Sequence, residues 1–354
     1  MKILFDSHNL AFHHFGGQEV QMCRTKDHLE ELGVEIKLFN KFEDKITDYD
    51  IYHLFGSNSI EHLSVVSYAK ERGIPVVLSP VFWSSFEQSL KSSVNPVKKA
   101  RAIVKKCQQY SEKALKYNIP IINPVQFYLK NADLILPNSN LEASHLLKVF
   151  DFAAAKIHVV YNGVEDIYAR GEPDLFSDRY GVSDFVLFVG RVEPKKNILA
   201  LVKASRNKDY KLVIVGDKDA NRSYYNECKK RAGENVHFVG ELPHNSELLV
   251  SAYHAARVFV LPSWLETPGI SALEAGLAGC NLVITNRGAT SEYFKDMAVY
   301  CDPSDVESIS AGIDLAMERV KTRGLSEYLQ ERYSWKAIAE ETLQAYKGLI
   351  SKHG

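Results

Sequence analysis

The sequence predicts an α/β protein made of two Rossmann-like, doubly wound domains that face a central cleft. Three observations support this fold class: short runs rich in Val, Ile, Leu and Phe recur along the chain, helix-patterned stretches separate them, and a polar, turn-rich segment divides them into two sets. Nearly continuous apolar runs are typical of strands covered on both faces, as in parallel sheets. Their alternation with helices indicates doubly wound sheets.

Local signals place the individual elements. A capping box at Ser139-Asn140-Leu141-Glu142 predicts a helix start, and Gly33 and Gly73 stand where helices are expected to end. The runs predicted as strands are KILFDS, EIKLFN, IYHLFG, PVVLSPVFW, LILPNS, IHVVYNG, FVLFVGR, KLVIVGD, VHFVGEL, VFVLPSW, NLVITN and AVYCDP.

The polar segment 164–182 marks the predicted domain boundary. We assign residues 1–165 to a first Rossmann-like domain and 166–333 to a second. Residues 334–354 are predicted as a C-terminal helix that can pack back on the first domain. A chain of 354 residues has room for two ordinary domains, each with a sizeable core.

Composition narrows the class of protein. Apolar residues make up 45% and charged residues 25%, as in globular proteins, and the net charge of −1 gives no basis for binding nucleic acid. No apolar run has the length of a membrane span, and we interpret the N-terminal MKILFDSHNL as a core strand and not as a signal peptide. The five cysteines lack metal or redox spacing, which favours reduced thiols in a cytoplasmic protein.

Several common cofactor and hydrolase motifs are absent from the sequence. It contains no G-x-G-x-x-G, Walker, H-E-x-x-H or G-x-S-x-G pattern, so a nicotinamide enzyme, P-loop ATPase, zinc protease or serine hydrolase is not favoured. Asp217-Lys218-Asp219 has the spelling of a metal-binding D-x-D motif. It follows a strand away from the expected catalytic loop, and we interpret it as a turn.

The segment 261–292 carries the sharpest site signal. A strand is followed by a loop with Glu266 and Gly269 and then by a helix that holds Glu274. Open α/β sheets bind ligands at the carboxyl ends of their strands, and the N-terminus of a helix suits phosphate. The spacing alone fits equally well two ordinary carboxylates near a helix start.

A second segment, FVLFVGRVEPKKN, places two cations after a strand. Gly190 closes the strand, Arg191 follows directly, and Lys196 comes at the start of a helix. Two charges and the N–H groups of a helix N-terminus can clamp a diphosphate. A solvated basic loop has the same composition, so this signal is weak when taken alone.

Together the two segments resemble the large retaining glycosyltransferase family four, or group 1, which has the GT-B architecture. The family's G-R-…-K motif is similar to Gly190-Arg191…Lys196, and its E-x7-E motif to Glu266…Glu274. The connecting text VVYNGV, LVIVGD, VHFVGEL and YHAARVFVLPS is also similar to the family's. The resemblance extends over nearly the whole chain.

The resemblance implies a catalytic set of Arg191, Lys196 and Glu266. Arg191 and Lys196 would hold the donor's diphosphate, and Glu266 would contact hydroxyls of the donor sugar. Positive groups in a dry cleft stabilise the charge that develops on a departing diphosphate, so neither a metal nor a cofactor is expected. The donor is a nucleoside-diphosphate sugar, with UDP the first expectation and GDP the second.

The resemblance also implies a set of nucleotide contacts. Glu274 would accept hydrogen bonds from the ribose hydroxyls, and backbone N–H groups near Gly269 and Ile270 would approach the phosphates and sugar. The loop through Glu241 and Leu242 would lie against the base.

The first domain is expected to bind the acceptor. Gly16 and Gly17, in the string GGQE, resemble the family's glycine turn and would let the backbone come close to phosphate or acceptor. Many members carry a His near the sugar where this chain reads SPVFW from Ser79, and an aromatic residue is usual at the position of Pro268. His53 ends another strand and fits either a core residue or an acceptor contact.

The reaction implied is transfer with retention by front-face attack, the departing phosphate taking the acceptor's proton. Acceptors would be a saccharide or lipid-linked saccharide, as in bacterial surface polysaccharide synthesis. A sugar-nucleotide epimerase of the same architecture and a non-catalytic scaffold that binds sugar nucleotide or glycan are the alternatives.

The segment 91–116 predicts one further partner. It carries eight basic residues against one acid, with apolar residues at spacings compatible with one helix face. Such a helix can rest on an anionic membrane, placing the protein at the inner face of the cell membrane. An ordinary solvated helix packed on its own domain fits the segment equally well.

Overall fold

The computed structural model describes residues 1–9, 11–13, 16–82 and 123–353. They form two compact units: the first ends at Gly163 and takes up the chain again at Tyr333, and the second runs from Val164 to Arg332. The boundaries expected from the sequence, after residues 165 and 333, differ from these by two residues and one residue.

The strands and helices alternate along both units. The strands are β1 Lys2–Asp6, β2 Glu35–Leu38, β3 Ile51–Phe55, β4 Val76–Ser79, β5 Leu134–Ile135, β6 Phe185–Val189, β7 Leu212–Val215, β8 Val236–Gly240, β9 Ala256–Leu261, β10 Asn281–Thr285 and β11 Val299–Cys301. The α-helices of the described residues are α1 Gly17–Glu31, α2 Leu63–Glu71, α3 Pro124–Asn131, α4 Asn140–Val149, α5 Asp174–Tyr180, α6 Ile198–Ala204, α7 Arg222–Arg231, α8 Glu247–Ala255, α9 Ile270–Leu277, α10 Thr290–Phe294, α11 Val306–Glu318, α12 Gly324–Tyr333 and α13 Trp335–His353.

Each unit contains one parallel sheet, which confirms the predicted pair of Rossmann-like domains. In the first unit the strand order is β2-β1-β3-β4-β5, and in the second it is β11-β10-β9-β6-β7-β8. All recorded strand pairs are parallel. The strands β3 and β4 are buried along their whole length, as expected for strands covered on both faces.

One predicted strand, IHVVYNG, is wrong. The N–H groups of His158 and Val160 donate to the carbonyls of Ile135 and Pro137, at 2.9 and 3.0 Å, but only an isolated bridge between Ile135 and Ile157 forms. To continue as a parallel ladder, the N–H of residue 137 would also have to donate a hydrogen bond back to the segment that holds His158 and Val160. Because Pro137 has no N–H, that bond cannot form.

The predicted helix signals are confirmed at both kinds of helix end. The Oγ atom of Ser139 accepts the N–H of Glu142 at 3.0 Å, and α4 begins at the next residue, Asn140. Gly33 and Gly73 follow α1 and α2 with φ of 80° and 71°, the left-handed backbone that glycine adopts at helix ends.

The C-terminal helix α13 completes the core of the first unit. Its residues Trp335, Ile338 and Tyr346 lie in one apolar cluster with Phe5 and Leu29. The helix packs chiefly along α1. Return of the chain to its first unit therefore buries the apolar face of α13.

His53 belongs to this core, so an acceptor contact from it is not supported. His53 is only 1% exposed. Its Nδ1 atom is hydrogen-bonded to Tyr346 Oη at 2.6 Å, and its Nε2 atom to Ser79 Oγ at 3.0 Å. Burial lowers the pKa of His53 to about 3. The neutral imidazole thus joins β3, β4 and α13.

Two sequence observations concern membranes and thiols. No helix of the described ranges is both long and apolar enough to span a bilayer. The basic segment 91–116 lies outside the described residues.

Cys23, Cys228, Cys280 and Cys301 are free thiols, and burial raises the pKa of each.

Candidate functional site

The candidate site lies at the carboxyl edge of the second sheet, where β9, β6, β7 and β8 are consecutive neighbours. The loop after β6 and the loop after β9 are joined directly, because the N–H of Trp264 donates to the carbonyl of Lys195 at 3.0 Å. The Asn197 amide donates to the carbonyls of Pro262 and Pro303, at 3.1 and 2.7 Å. These bonds hold the two motif-bearing loops in a fixed relation.

A tight turn places Arg191 directly after β6. The N–H of Gly190 donates to the carbonyl of Val215 at 3.0 Å, and a side chain at Gly216 would overlap the carbonyl oxygen of Gly190. Two neighbouring strand ends therefore approach each other as closely as backbone allows. Arg191 Nη2 lies 3.2 Å from Glu193 Oε1, and its side chain is 41% exposed, which leaves it within reach of a ligand.

Lys196 and Glu266, from the two separate sequence motifs, form an ion pair. Lys196 Nζ donates to Glu266 Oε1 at 2.6 Å, and the Glu266 side chain is only 7% exposed. The Glu266 backbone is held as well, since its N–H donates to the Arg287 carbonyl and its own carbonyl accepts from Ala289. The structure thus brings two of the three expected catalytic side chains into contact.

The helix α9 begins at Ile270, immediately beyond Glu266. Gly269 precedes it with φ of 86°, and a side chain there would meet Leu261 Cδ2 at 2.7 Å and Glu266 Oε2 at 3.3 Å. Glycine is therefore required for conformation and for space. Pro268 contributes no N–H, so the donors of this turn come from Gly269 and the first helical residues.

The helix after Lys196 does not offer the phosphate site that the sequence suggested. Lys196 lies in a short 3-10 turn, Pro194–Lys196, and the following helix α6 has only seven residues. The N–H of Leu199 in its first turn donates to Tyr224 Oη at 2.9 Å. The positive end available near the Lys196–Glu266 pair is therefore that of α9.

Glu274 is held between two side chains that the sequence did not indicate. Its Oε1 lies 2.9 Å from His244 Nε2, and its Oε2 accepts the Tyr253 hydroxyl at 2.7 Å. Tyr253 is fully buried, and burial together with the Glu274 charge raises its pKa well above the usual value. The phenol therefore stays protonated and donates its hydrogen bond to Glu274. On the other side of Glu274, the His244 side chain is 29% exposed.

A second tyrosine supports this cluster from behind. Tyr168 packs edge-on against Tyr253, with ring centroids 5.5 Å apart, and its hydroxyl donates to Asn245 Oδ1 at 2.9 Å. Burial first, and then the charge of Glu274, raise its pKa. Asn245 and His244 belong to the loop after β8, so the tyrosines fix this loop relative to α9.

The remaining predicted nucleotide contacts sit in the same loop after β8. Glu241 is exposed and Leu242 is half-buried, and both come directly after Gly240, whose carbonyl accepts the N–H of Gly216 at 2.8 Å. The resemblance pointed to this loop through Glu241 and Leu242 and did not indicate His244, three positions after Glu241. Tyr253 and Tyr168 carry no such signal, because only folding brings them to Glu274.

Gly16 and Gly17 lie at the start of α1 in the first unit. The N–H of Gly16 donates to Glu19 Oε2 at 2.8 Å, and Glu19 Oε1 lies 2.9 Å from His8 Nε2. Glu19 is buried, so this carboxylate closes the first turn of the helix from inside. The glycine turn is therefore a helix start, with Gly17 exposed.

The fold, two α/β units that each contain one parallel sheet, is shared with solved structures of the GT-B class. HepE of Anabaena, determined in complex with UDP-glucose, superposes with a TM-score of 0.72 at 18% identity, covering 99% of this chain and 100% of that one. At this identity the likeness concerns the fold. The chain thus has the GT-B fold.

Sequence comparison relates the second unit to one family. Residues 177–333, which lie almost entirely in the second unit, match the model of the glycosyl transferases group 1 family. An uncharacterised glycosyltransferase of Methanocaldococcus jannaschii is 33% identical over 223 residues, 56% of each chain. The O-antigen chain mannosyltransferase B of Escherichia coli is 29% identical over 238 residues, 62% of this chain and 61% of the relative. The match thus spans a little over half the length of these curated relatives.

Proposed function

We propose that this protein transfers a sugar from a nucleoside-diphosphate sugar, with retention of configuration, to a saccharide or lipid-linked saccharide acceptor. The observation that carries the proposal is the Lys196–Glu266 pair, 2.6 Å apart, beside the N-terminus of α9. One cation and the positive end of a helix meet there, next to a carboxylate suited to sugar hydroxyls. These are the charges that a sugar diphosphate needs.

The residues divide the work by charge. Arg191 and Lys196 stabilise the negative charge that develops on the leaving diphosphate, and the first N–H groups of α9 add a fixed dipole. Glu266 receives the hydroxyls of the donor sugar while it keeps Lys196 in place. The departing phosphate takes the acceptor's proton in a front-face attack, so the acceptor side needs no carboxylate nucleophile.

Glu274 anchors the ribose. A vicinal diol donates two hydrogen bonds, and a carboxylate offers acceptor positions on both oxygens. Tyr253 holds one oxygen from the buried side, and His244 occupies the other from the exposed side. The ribose hydroxyls therefore replace or join His244, while Glu241 and Leu242 border the base.

The names of similar proteins support a role in glycan assembly. The Escherichia coli relative is named for O-antigen chain synthesis, and the HepE structure holds UDP-glucose. We therefore place this enzyme in synthesis of a bacterial surface polysaccharide or glycoconjugate, with UDP-sugars tested before GDP-sugars. A cytoplasmic location, with contact to the inner face of the membrane through residues 91–116, completes the proposal.

The test begins with a panel of UDP- and GDP-sugars, screened for an increase in thermal stability. A ligand at one hundred times its Kd stabilises the native state by about 2.7 kcal/mol, which shifts the melting temperature measurably. The best donor is then incubated with saccharide and lipid-linked saccharide acceptors. Release of nucleoside diphosphate in step with glycosylated acceptor is expected, with the donor's anomeric configuration in the product.

Other outcomes identify the alternatives. Conversion of the sugar nucleotide without any acceptor would indicate an epimerase. Binding of sugar nucleotide without turnover on any acceptor would indicate a scaffold. A product of inverted configuration would contradict the retaining mechanism but leave transfer itself intact.

A further inference from the structure

Three large apolar side chains of the first unit are exposed at one edge of its sheet. Phe42 is 90% exposed, Ile60 68% and Phe12 61%. Among the large apolar side chains in the described parts of the chain, only Val320, in the second unit, is exposed to a similar degree. Single exposures are ordinary, but three on one edge indicate an interaction surface. We call these three residues the apolar rim.

The rim residues belong to three neighbouring loops. They follow β1, β2 and β3, which are adjacent parallel strands and therefore end at the same edge. Polar bonds tie the loops together beside Phe42 and Ile60. Lys41 Nζ donates to Asn9 Oδ1 at 3.2 Å, and the N–H of Asn9 donates to Glu61 Oε2 at 3.0 Å. One joined set of loops thus displays the apolar rim.

The most exposed rim residue, Phe42, stands at the tip of a rigid turn. The Asn40 Oδ1 atom accepts the N–H of Phe42 at 3.1 Å, and the Asn40 carbonyl accepts the N–H groups of Glu43 and Asp44 at 3.0 and 2.9 Å. Three successive backbone donors are therefore paired inside the turn. Because these N–H groups need no water, the tip can enter an apolar medium without leaving them unpaired.

The charges around this phenyl ring complement a layer of phosphate groups. Lys41 and Lys45 are exposed on either side of the ring, together with the carboxylate of Glu43. The carboxylate of Asp44 is turned inward, since its side chain is 5% exposed and pairs with Lys37 at 2.5 Å. Two cations against one exposed acid thus flank the ring. Lysine stems can lie along apolar surface while their ammonium groups stay at the level of the phosphates.

The spacing of the apolar rim favours a bilayer over a protein partner. Charged residues flank Phe42 on both sides, and Ile60 stands between Ser59 and Glu61. The core of a protein interface is closely packed and depleted of charged residues. A fluid bilayer instead accepts isolated apolar side chains from separate loops, with the neighbouring charges at headgroup level.

We infer that the apolar rim inserts into the surface of an anionic phospholipid bilayer, with Phe42 entering the apolar layer and Lys41 and Lys45 at the phosphates. This surface is distinct in sequence from the basic segment 91–116. Binding to a bilayer stands on the geometry of the rim. Only its use, to bring the protein to a lipid-linked acceptor, rests on the proposed function.

The test measures cosedimentation of the full chain with vesicles of equal parts phosphatidylcholine and phosphatidylglycerol. At about 1 M KCl the Debye length is about 3 Å, so attraction by basic residues, including those of segment 91–116, is screened while apolar insertion remains. The wild type should still bind. Phe42→Ser should bind about tenfold more weakly, the effect of withdrawing much of one phenyl ring from apolar surroundings. The triple variant Phe12→Ser/Phe42→Ser/Ile60→Ser should not sediment with the vesicles.

Val320→Ser is the matched control, because Val320 is 79% exposed and lies in the second unit. It should bind vesicles as the wild type does, and melting temperatures check that every variant folds. Phe42→Trp should bind at least as tightly as wild type, since indole favours the membrane interface. Its fluorescence should shift to the blue when vesicles are added, whereas Val320→Trp should respond no more than wild type.

The headgroup contact is tested separately at low salt. Lys45→Ser should bind the anionic vesicles about fivefold more weakly, because one basic residue near an anionic surface is lost. On vesicles of phosphatidylcholine alone the same variant should bind as wild type does. Equal binding of Lys45→Ser and wild type to the anionic vesicles would contradict the headgroup contact.

Two results would overturn the inference: absence of vesicle binding by the wild type at high salt, or equal binding by the wild type and the triple variant. Self-association without vesicles that is lost in Phe42→Ser, measured by sedimentation velocity, would make the rim an interface between copies of the chain and also overturn it. The proposed function is judged apart, since UDP binding should be equal in wild type and Phe42→Ser. Loss of UDP binding by the wild type would refute the proposed function and leave the vesicle result unaffected.

Discussion

At the scale of single residues, the site consists of charges that are already paired before a ligand arrives. Lys196 holds Glu266, Arg191 lies beside Glu193, and Glu274 is bonded on both oxygens. Pairing keeps buried charges from being left alone, which would be costly. A ligand therefore exchanges partners within a formed network instead of assembling one.

Arg191→Ala tests the assignment of charge stabilisation. Turnover should fall by about a hundredfold, the loss typical of removing one preorganised group that stabilises developing charge. The matched control is Lys195→Ala, which removes a charge from an exposed position of the same loop and should have little effect. Steady-state kinetics on both variants, with melting temperatures as a check on folding, measure the difference. Near-normal turnover in folded Arg191→Ala would remove this residue from the site.

Tyr253→Phe tests whether the buried phenol orients Glu274 toward the ribose. A hydrogen bond to a charged group is lost, and the affinity for UDP should fall by about tenfold. The affinity for 2′,3′-dideoxy-UDP should hardly change, because that ligand has no hydroxyls for Glu274 to accept. Calorimetric titration with both ligands separates the two outcomes. An equal loss for both would mean that Tyr253 supports the fold only.

At the scale of elements, the last helix is bound to the first sheet by a polar contact inside an apolar core. His53 on β3 joins Ser79 at the end of β4 to Tyr346 on α13. Gly163 lets α13 begin close by, since a side chain there would meet Trp335 Cδ2 at 2.6 Å. Gly163 and the neutral imidazole of His53 thus allow α13 to pack against the first sheet.

The lowered pKa of His53 predicts a loss of stability in acid. The folded state binds a proton at this ring only near pH 3, whereas the unfolded chain binds it near pH 6.5, so stability falls as pH drops between these values. Between pH 6.5 and 5 the free energy of unfolding should fall by about 1.6 kcal/mol through this ring. Urea unfolding of wild type and His53→Gln at both pH values should show the wild type losing that much more.

The wild type has to be compared with His53→Gln because a buried carboxylate of the same unit, Glu142, also makes stability depend on pH. Glu142 accepts the N–H groups of Phe82 and Asn138, at 2.5 and 2.7 Å, and burial raises its pKa to about 7. Its contribution is present at low pH and is lost as pH rises toward 7, opposite in sign to that of His53. The difference between wild type and variant isolates the histidine. Identical pH dependence in the two proteins would contradict the assignment.

At the scale of the whole molecule, each parallel sheet has one edge at which all its strands end. In the second sheet the loops beyond this edge carry Arg191, Lys196 and Glu266, the residues proposed to bind the donor. This arrangement follows from the parallel architecture, in which every strand ends at the same edge and helices return the chain to the other. Chemistry-bearing residues that are distant in sequence therefore meet in loops.

Metal dependence is a property of the complete enzyme and provides a global test of the charge assignment. Because Arg191, Lys196 and the N-terminus of α9 supply the positive charge, a chelator should leave transferase activity largely intact. Activity is measured with the best donor before and after treatment with EDTA, and again after Mg²⁺ or Mn²⁺ is added back. A strict requirement that either ion restores would overturn this model of the site.

Much of this architecture is determined by the sequence alone. Nearly continuous apolar runs predict parallel strands because both faces of such a sheet are covered, and eleven of the twelve predicted runs form strands. The exception lies beside Pro137, whose missing N–H removes a ladder bond in a way that apolar patterning does not register. Arg191, Lys196, Glu266 and Glu274 stand in loops after strands or near helix starts, but ordinary charged loops give the same local signals, and the resemblance to a known family was needed to single them out.

Only the tertiary structure decided which of these side chains touch. The ion pair of Lys196 with Glu266 joins residues 70 positions apart, and the bond from Tyr253 to Glu274 arises between two helices without any motif. His53 was predicted at the end of a strand, but it is the middle residue of β3, and it is a core residue because α13 returns from the other end of the chain to cover it. Periodicity and capping act over a few residues, whereas burial and pairing depend on long-range packing, which no local pattern records.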